Sequence, residues 1–539
     1  MTSLNIYTKI KFTWTLSTGI LPDKYITRVF KSKLLKRYRR NFNMKKLIYF
    51  TKLGTEEVYG SFNPETDLGE MMREGKTKIL FKDKRSPDYF IAQSKPDITQ
   101  GDDATLTKKF PMKAVYANET TCAIFEFLNS IGIPTAYIQR LDDKHALFHD
   151  CDMIGLEVIG RREYVGSFCE RYPEYMGKDH RAETVLVELF LKTTDGQLVK
   201  NGRTLVDGLP MVKNSKGKDI SLNDPFIGNP NDLTWELYWP KKPFGVDSKL
   251  GKRVEAKEVL KSTREAGGTF DDEVVKSILD KLLHLQRLCF LALECGWASI
   301  GYRLIDIKLE FGWTINGELV LADVIDNDSH RIRNEKNEEM SKQRFRDGTP
   351  LEIVEKLYGV MARASQGLQV PKQVLVLWRG SESDELPDIE KFPSYPLSLK
   401  TNQYFPKVDI KAITGSGHKL TRQCLDRLHE LGREYPAGGV FVPLVGRSNG
   451  LGPILTAHTI DPVHFAPMDY KTAPLNLHGN ISMPSGVPMA TFTDPAQAIE
   501  AGLRVLAKRN AGLGMMLKLM QEERANQGVR TEKIEESCW

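Results

Sequence analysis

The sequence contains little that would place it in a membrane or in an oxidising compartment. Among its 539 residues, no run approaches the ~20 uninterrupted apolar residues that a membrane-spanning helix needs. Its seven cysteines are odd in number and form no C-x-x-C pair, which argues against a disulfide framework or a structural zinc site. We therefore predict a protein with no membrane partner in a reducing compartment, of which the cytoplasm is the simplest.

Internal repeats and strong compositional bias are absent as well. Hydrophobic residues make up 41% of the chain and charged residues 27%, which is ordinary globular composition. This balance excludes a mostly disordered chain, a collagen-like fibre and a coiled coil. At ~150 residues per domain, the length predicts roughly three or four domain-sized units, or two large ones.

Acidic residues are almost missing from the beginning of the chain. Residues 1–50 contain twelve lysines and arginines but a single acid, Asp23, so they carry +11 and the remainder carries −5. Because the body of the protein is mildly acidic, the net charge of +6 does not indicate a nucleic-acid partner. We interpret 1–68 as a basic, disordered leader, with 1–43 translated upstream of a start at Met44 as a related possibility. A targeting presequence or a nucleic-acid tail is the alternative.

The rest of the chain divides into two parts near residue 368. A polar connector at 365–372 precedes a buried-strand run at 374–377 that opens a new α/β unit, so we predict domains at 69–367 and 368–539. In the first domain, apolar spacing predicts three strands within 73–93 and helices over 119–131, 270–295 and 351–364. Asp271 or Thr269 is suited to cap the second of these helices.

Two alternating segments, 306–312 and 319–328, flank the pair Asn316-Gly317. An Asn-Gly pair in this setting is the strongest short-range signal for a two-residue hairpin turn. With that turn, Glu310 lies directly opposite Asp323, with Cβ atoms ~5 Å apart. Asp306 and Lys308 share the face of Glu310, because side chains alternate along a strand.

Two carboxylates that face each other repel, so a cation should lie between them. Mg²⁺ typically takes one or two carboxylates together with substrate phosphates, and a magnesium site at Glu310 and Asp323 is one interpretation. The other is a solvated hairpin face on which Lys308 neutralises one acid. The acids that continue the segment, Asp326 and Asp328, favour binding of a metal and an anion.

A glycine followed by lysines, 74–78 (EGKTK), interrupts the apolar strands near residue 73. Such a loop can place backbone N–H groups and ammonium charges on a triphosphate, although it lacks the glycine spacing of a Walker loop. Taken alone, the motif favours a surface hairpin turn. Combined with the carboxylate hairpin it indicates a kinase-like layout, in which a glycine loop covers a nucleotide and acids from another lobe hold Mg²⁺.

Several motifs in the first domain resemble the phosphoribosylaminoimidazole-succinocarboxamide (SAICAR) synthase family. They are 74–78, 94–99 (SKPDIT), 161–162 with 166–167 (RR and GS), 224–225 (DP), 306–312 (DIKLEFG), and 321–329 (LADVIDNDS) with Arg331. The resemblance implies an α+β unit of two lobes, kinase-like or ATP-grasp-like. It also implies ATP- and Mg²⁺-dependent joining of aspartate to carboxyaminoimidazole ribonucleotide (CAIR), through an activated acyl phosphate.

The same resemblance implies roles for individual residues. Lys76 and Asp323 are the implied catalytic residues, and Glu310 and Asp323 are the implied ligands of Mg²⁺. ATP would be bound by Gly75, Lys76, Lys78, Glu310 and Asp323. The ribonucleotide or aspartate would be bound by Arg162, Ser167 and Arg331. Arginine is suited to these substrates because its planar fork binds carboxylate and phosphate through two hydrogen bonds.

The second domain resembles the phosphoribosylaminoimidazole carboxylase family. Its motifs are 380–384 (GSESD), 416–419 (SGHK), 446–453 (GRSNGLGP) and 484–486 (PSG). The resemblance implies a three-layer α/β unit with a parallel sheet, in which aminoimidazole ribonucleotide (AIR) is carboxylated directly by CO₂, without ATP or biotin. His418 is the implied acid/base; Ser381, Ser383 and Asp384 would hold phosphate and ribose, and Arg447 and Ser448 the new carboxylate or CO₂.

The order of the two domains resembles the animal bifunctional enzymes of purine synthesis. The resemblance implies two consecutive steps, in which CAIR made by the second domain is the substrate of the first. The alternative is a SAICAR synthase whose carboxylase-like domain serves only as the core of an oligomer. Assembly through the carboxylase domain, usually as an octamer, is also implied, with small-molecule substrates and no nucleic acid.

Overall fold

The computed structural model describes residues 61–99, 107–177, 180–200, 202–214, 217–262, 270–387, 408–446, 449–468, 471 and 474–536. The chain forms two compact units, Met1–Asp67 and Leu68–Trp539. The described part of the first unit contains one short helix, α1 (Pro64–Asp67). The predictions for the leader 1–43 lie outside the described residues.

Strands dominate the beginning of the second unit. In chain order they are β1 (Leu68–Glu74), β2 (Lys78–Asp83), β3 (Tyr89–Ser94), β4 (Asp97–Thr99), β5 (Thr107–Lys109), β6 (Tyr137–Arg140), β7 (His145–His149), β8 (Cys151–Met153), β9 (Leu156–Glu163), β10 (Arg181–Leu191), β11 (Leu198–Lys200), β12 (Arg203–Val206), β13 (Met211–Lys213), β14 (Asp219–Ser221), β15 (Phe226–Ile227), β16 (Thr234–Tyr238), β17 (Lys249–Glu255), β18 (Arg303–Thr314), β19 (Leu319–Ala322) and β20 (His330–Arg333). The α-helices among them are α2 (Lys113–Ser130), α3 (Ser167–Arg171), α4 (Ala256–Leu260), α5 (Asp272–Ser299), α6 (Gln343–Arg346) and α7 (Leu351–Ser365), with 3₁₀ turns at Pro173–Tyr175 and Val246–Ser248.

Five of these strands form an antiparallel sheet in the order β1-β2-β3-β7-β6. Its first three strands confirm the strands predicted within 73–93. Helix α2 packs on this sheet, because its apolar side chains, such as Phe125 and Leu128, share a core with Phe148 of β7. The helix begins earlier than predicted and ends next to the predicted end.

The second sheet contains β17-β16-β15-β10-β9-β18-β19, with β8 and β20 paired to β18. The predicted long helix, α5, lies against it: Phe290 packs on the backbone of β9 so closely that a Cβ on Gly160 would stand 2.9 Å from the ring. Asp271 caps α5 as expected, accepting a hydrogen bond from the Val274 amide at 2.9 Å. These antiparallel sheets with helices packed beside them confirm the predicted α+β class.

The remainder of the unit, from residue 373 onward, contains a parallel sheet with helices. Its strands are β21 (Gln373–Arg379), β22 (Val408–Thr414), β23 (Gly439–Val445), β24 (His464–Pro467) and β25 (Ala490–Thr491). Its helices are α8 (Thr421–Glu434), α9 (Leu451–His458), α10 (His478–Ile481), α11 (Pro495–Leu506) and α12 (Ala511–Glu536), with a 3₁₀ turn at Pro474–Leu477. The strands pair in parallel in the order β22-β21-β23-β24-β25, which confirms the predicted parallel sheet.

Both faces of this parallel sheet are covered. Alternate residues of β21 point to opposite sides: Val376 packs with Leu428 of α8, whereas Leu375 packs with Leu503 of α11. The result is the predicted three-layer arrangement of helices, sheet and helices. Among the described helices, none is long and apolar enough to cross a membrane.

The last helix, α12, belongs to both halves of this unit. Leu513 lies in the core beside the parallel sheet, whereas Met515 and Met516 lie in the large core of the first half. Contact with α5 is close, since a Cβ on Gly514 would stand 2.9 Å from the Cys295 sulfur. The end of the chain therefore packs on the part that was predicted as a separate domain, and the boundary near residue 368 stays a prediction.

Candidate active site

The hairpin between β18 and β19 differs from the predicted one by one residue in its register. The Thr314 amide donates to the Glu318 carbonyl at 3.0 Å, so the loop has three residues, 315–317, rather than two. Gly317 adopts a φ of 73° in this loop, as the left-handed third position of such loops requires. Glu310 therefore pairs with Ala322 and not with Asp323, which corrects the predicted register.

A change in backbone direction nevertheless brings Asp323 to the same site. Strand β19 ends at Ala322, and Asp323 has a φ of 62°, a conformation that is strained for a residue with a side chain. Its carboxylate contacts the ammonium of Lys78, the first residue of β2. Since Glu310 also acts electrostatically on Lys78, acids from one sheet and a lysine from the other meet at a single place.

Glu310 lies in a chain of alternating charges. Lys192, just after β10, donates to Glu310 and lies 3.5 Å from Glu157 of β9, which also accepts a hydrogen bond of 2.6 Å from Lys308. Burial works to raise the pKa of Glu310, but Lys192, Lys308 and Lys78 outweigh it and hold the pKa below its ordinary value. Lys308 thus donates to Glu157 and also acts electrostatically on Glu310, in keeping with the alternative in which it neutralises one acid.

Lys78 is the least solvated cation of this cluster. Burial lowers its pKa to about 8, with Lys192 and Arg73 acting in the same direction and Glu310 against it. The contact with Asp323 further stabilises the charged form. A lysine in this setting exchanges its protein partner for an anionic ligand at little desolvation cost, because it is already largely removed from water.

The loop between β1 and β2 contains the predicted glycine and lysines. The Gly75 amide donates to the Lys78 carbonyl at 2.8 Å and closes the turn. Lys95, from the predicted motif 94–99, braces the loop by donating to Glu74 at 2.6 Å and to the Gly75 carbonyl at 3.2 Å. Lys76 is exposed at the tip of the loop. Two motifs that are separate in the sequence therefore form one structure beside Lys78.

The acids at this site suit a magnesium ion that arrives with phosphate. Within the described ranges, no group of three or more His, Cys, Asp or Glu residues could hold a metal ion. Glu310 and Asp323 supply two carboxylates, and the lowered pKa of Glu310 keeps it ionised. Mg²⁺ is ordinarily bound by one or two carboxylates, with phosphate oxygens and water as its remaining ligands. The donor set therefore fits a nucleotide-bound Mg²⁺ and does not fit a site made by protein alone.

A second charged cluster joins Ser167 and Arg331, both predicted to bind substrate. Asp306 accepts hydrogen bonds from Arg331, at 2.5 Å, and from Arg161. Arg161 also lies 3.4 Å from the Ser167 hydroxyl. Gly166 must be glycine here, since its φ is 59° and a Cβ would stand 2.6 Å from the Arg331 guanidinium. The Gly-Ser motif and Arg331, far apart in sequence, thus form one surface.

Arg162 is not part of that surface. Adjacent residues of a strand point to opposite faces, and Arg162 points away from the Asp306 cluster. It is buried against the helices, where it donates to Glu294 of α5 at 2.8 Å and to Glu522 of α12 at 2.7 Å. Arg161, which the sequence prediction did not select, occupies the position beside Ser167. The structure therefore does not bring the predicted Arg162 together with Ser167 and Arg331.

The acids that continue the hairpin segment, Asp326 and Asp328, lie near Lys113. Asp328 accepts hydrogen bonds from Lys342, at 3.1 Å, and from Tyr358, and Lys113 lies 3.5 Å away. Burial would raise the pKa of Asp328, but these neighbours hold it far below its ordinary value. Asp326 lies 4.0 Å from the same Lys113. Lys113 and Lys342 offset the charge of Asp328, whereas burial and the charge of Asp328 raise the pKa of Asp326.

In the second half, the ends of three parallel strands bring two motifs together. The carboxylate of Asp384 accepts a hydrogen bond of 2.9 Å from the Ser381 amide, and Ser381 and Ser383 share a hydrogen bond of 2.6 Å. A Cβ on Gly446, after β23, would stand 3.0 Å from the Asp384 carboxylate.

His418 lies at the same edge of the sheet, four residues after β22. Its imidazole is exposed and packs over Gly450 so closely that a Cβ there would stand 2.4 Å from both Cε1 and Nε2. Gly450 precedes α9, and so the histidine loop and the motif at 446–453 are in contact. The carboxyl ends of parallel strands are where open α/β sheets bind ligands. Arg447 and Ser448, predicted to hold the carboxylate, lie outside the described residues.

Sequence reasoning missed Arg161, Lys192, Glu157 and Lys95. One of these carried a usable signal, because Glu157 is a charged residue that interrupts an apolar strand run, where a partner is required. The choice between Arg161 and Arg162 depends on which face of β9 is covered by helices, and this was not visible in the sequence.

Two family models match different parts of the chain. A family model described as SAICAR synthetase matches residues 71–202 and 267–358. A second, described as AIR carboxylase, matches residues 397–527. The fold and the two sites thus define a ligase domain of the SAICAR synthase type joined to a lyase domain of the AIR carboxylase type.

Known proteins contain the same combination. The "Probable multifunctional protein ADE2" of Caenorhabditis elegans is 27% identical over 82% of this chain and 90% of its own length. The human "Bifunctional phosphoribosylaminoimidazole carboxylase/phosphoribosylaminoimidazole succinocarboxamide synthetase" is 27% identical over 82% of this chain and 91% of its own. The phosphoribosylaminoimidazole-succinocarboxamide synthase of Chloroflexus aggregans is 30% identical over 52% of this chain and 87% of its own.

The chain belongs to the SAICAR synthase family and carries an AIR carboxylase domain after it, in a bifunctional arrangement shared with these animal relatives. A solved "SAICAR synthetase (Type-2) in complex with ADP" aligns with 56% of this chain and 99% of its own, at 24% identity and a TM-score of 0.37.

Proposed function

We propose that the protein catalyses two consecutive steps of purine synthesis, carboxylation of AIR to CAIR and then ATP-dependent ligation of aspartate to CAIR. The observation that carries the proposal is the meeting of Lys78 from one sheet with Asp323 and Glu310 from the other, beside a braced glycine loop. This arrangement, with a site between two sheets, supports a two-lobed, kinase-like ligase domain.

In the ligase domain the protein positions substrates and offsets charge. The CAIR carboxylate attacks the γ-phosphorus of ATP, ADP leaves, and the aspartate amine then displaces phosphate from the acyl phosphate. Gly75, Lys76 and Lys78 would hold the nucleotide phosphates, with Lys76 and Asp323 closest to the transferred group. Such positioning and electrostatic stabilisation lower the barrier without a nucleophilic side chain.

Magnesium would be held by Glu310 and Asp323, and it would supply positive charge to the phosphate oxygens of ATP. Lys192 maintains Glu310 in its ionised form. The surface formed by Arg161, Ser167 and Arg331 would bind the ribonucleotide and aspartate. Asp306 holds both guanidinium groups in place, and Glu188 accepts a further hydrogen bond of 2.6 Å from Arg161.

In the carboxylase domain, a ring carbon of AIR forms a bond to CO₂ and its proton passes to His418. Histidine is suited to this transfer because its ordinary pKa lies near neutral pH. Ser381, Ser383 and Asp384 would hold phosphate and ribose at the strand ends, and Arg447 and Ser448 the new carboxylate. The reaction requires neither ATP nor biotin.

Assembly as a homo-oligomer, an octamer by family resemblance, and location in the cytoplasm complete the proposal. No nucleic acid is required as a partner.

The experiment supplies AIR and bicarbonate first, then aspartate and MgATP, and follows CAIR and SAICAR separately. We expect CAIR to accumulate and then to be consumed. Asp323→Asn should abolish ligation and leave carboxylation intact, whereas His418→Ala should do the reverse. Loss of both activities in either variant, with assembly preserved, would contradict the assignment of two sites. Ligation without any carboxylation would instead support a carboxylase domain kept only as an oligomer core.

A further inference from the structure

A carboxylate from the C-terminal helix is buried in the ligase half of the molecule. Glu522 of α12 is 7% exposed, although it comes 360 residues after its partner Arg162. One oxygen accepts a hydrogen bond of 2.7 Å from Arg162, and the other accepts one of 3.1 Å from the Val185 amide. Both oxygens of this acid are therefore used inside the other half.

The partners of Glu522 lie at an irregularity in the central sheet. Strands β9 and β10 pair at Arg181 with Glu163 and again at Leu186 with Arg161, so residues 182–185 of β10 face Arg162 alone. The backbone groups of such a bulge have no partner in the ladder. Arg162 donates to the carbonyls of residues 182 and 183, at 3.2 and 2.8 Å, while Glu522 accepts from the amide of residue 185.

This bulge adjoins the substrate surface. Strand β9 ends at Glu163, and the segment that follows contains Gly166 and Ser167. Arg161, the neighbour of Arg162, reaches Asp306 and Ser167 from the opposite face of the same strand. Any movement of β9 at Arg162 is therefore transmitted to Arg161.

We propose that Glu522 is a positioning residue of the ligase site, supplied by the helix that closes the carboxylase half. Glu522 offsets the charge of Arg162 and accepts a hydrogen bond from the Val185 amide in the bulge. These two contacts fix the end of β9 and with it the surface of Arg161, Ser167 and Arg331. The inference rests on the proposed ligation of aspartate to CAIR, and it adds that the two activities share this helix as a structural component.

The test uses the full chain with Glu522→Gln, which keeps the shape and one acceptor but removes the charge. We expect the KM for CAIR to rise about tenfold or more, as misplaced substrate groups produce. The KM for ATP and the carboxylation rate should stay within about twofold, since Lys78, Asp323 and His418 lie on other elements. Glu523→Gln, at the exposed neighbouring position, is the matched control and should behave as wild type.

A second variant tests whether Glu522 acts by positioning the substrate surface or only by balancing the buried charge of Arg162. Arg162→Met with Glu522→Met removes both charges, which often costs little stability, and leaves Glu294 paired with Lys518 at 2.7 Å. We expect normal thermal unfolding but a KM for CAIR that stays raised, because the bulge is still unsatisfied. An unchanged KM in Glu522→Gln, or a wild-type KM in the double variant, would overturn the proposal. These results differ from a failure of the proposed function, because in that case the wild-type protein itself would not convert CAIR.

Discussion

Gly450→Ala is a minimal change that should separate the two activities. Gly450 has a φ of −87°, which alanine adopts without backbone strain. The added Cβ would stand 2.4 Å from Cε1 and Nε2 of His418 and 2.8 Å from its Cδ2. Carbon atoms settle at ~3.5–4.0 Å, so the imidazole must retreat by ~1 Å or more. Because the ring is exposed, it can do so without unfolding the protein.

A displacement of this size at a catalytic group costs a factor of roughly 100 in rate. We therefore expect carboxylation of AIR to fall by about two orders of magnitude while ligation of aspartate to CAIR and the thermal midpoint change little. The assay measures CAIR formation and SAICAR formation separately, together with thermal unfolding. Gly432→Ala is the matched control, since a Cβ there, in α8, meets nothing within 4 Å.

Two results would refute this reasoning. Carboxylation at the wild-type rate in Gly450→Ala would show that the position of the His418 ring does not matter to the reaction. Equal loss of carboxylation and ligation would show that the substitution acts on the whole structure and not on one site. An effect of Gly432→Ala as large as that of Gly450→Ala would point to helix α8 instead.

The remaining predictions concern the ligase site. Because burial lowers the pKa of Lys78 from 10.5 to about 8, its positive charge is lost as the pH rises through 8, and kcat/KM for ATP should decline there. Lys78→Arg should remove that decline at alkaline pH, even if it lowers the rate, because arginine stays charged. If kcat/KM for ATP declined in this variant as it does in the wild type, Lys78 would be excluded as the cause. Lys192→Met should weaken activation of ligation by Mg²⁺ about 10- to 100-fold, as loss of a group that supports a metal ligand does. A magnesium titration checks this, with Lys249→Met, which removes an exposed pair with Glu236, as the control expected to leave the titration unchanged.

Local chemistry was sufficient for many elements of the fold. Asp271 caps helix α5 as its position predicted, and strand β21 contains the predicted buried-strand run 374–377. These features depend on residues a few positions apart, whose preferences act within one turn or one strand. The motifs at 74–78 and 166–167 were likewise visible in the sequence. In the structure, Lys78 of the first motif contacts Asp323, and Gly166 of the second lies against the Arg331 guanidinium.

The hairpin shows where local reasoning was insufficient. Asn316-Gly317 did mark a turn, but a loop of two residues and a loop of three both suit this pair, and they differ by one step in register. The structure has three, so Asp323 would face away from Glu310 if β19 continued. Only the left-handed backbone at Asp323 returns its side chain to Lys78, and that strain is maintained by tertiary contacts.

The sequence by itself determined the two chemistries, because motifs such as 306–312 and 446–453 place the required charges and glycines within a few residues of one another. Only the tertiary structure decided which arginine lies beside Ser167 and that Glu522 is buried against Arg162. Both depend on which face of a strand the helices cover, and the partners of Arg162 come from α5 and α12, more than a hundred residues away. Burial of this kind is a property of the packed molecule, and no local pattern encodes it.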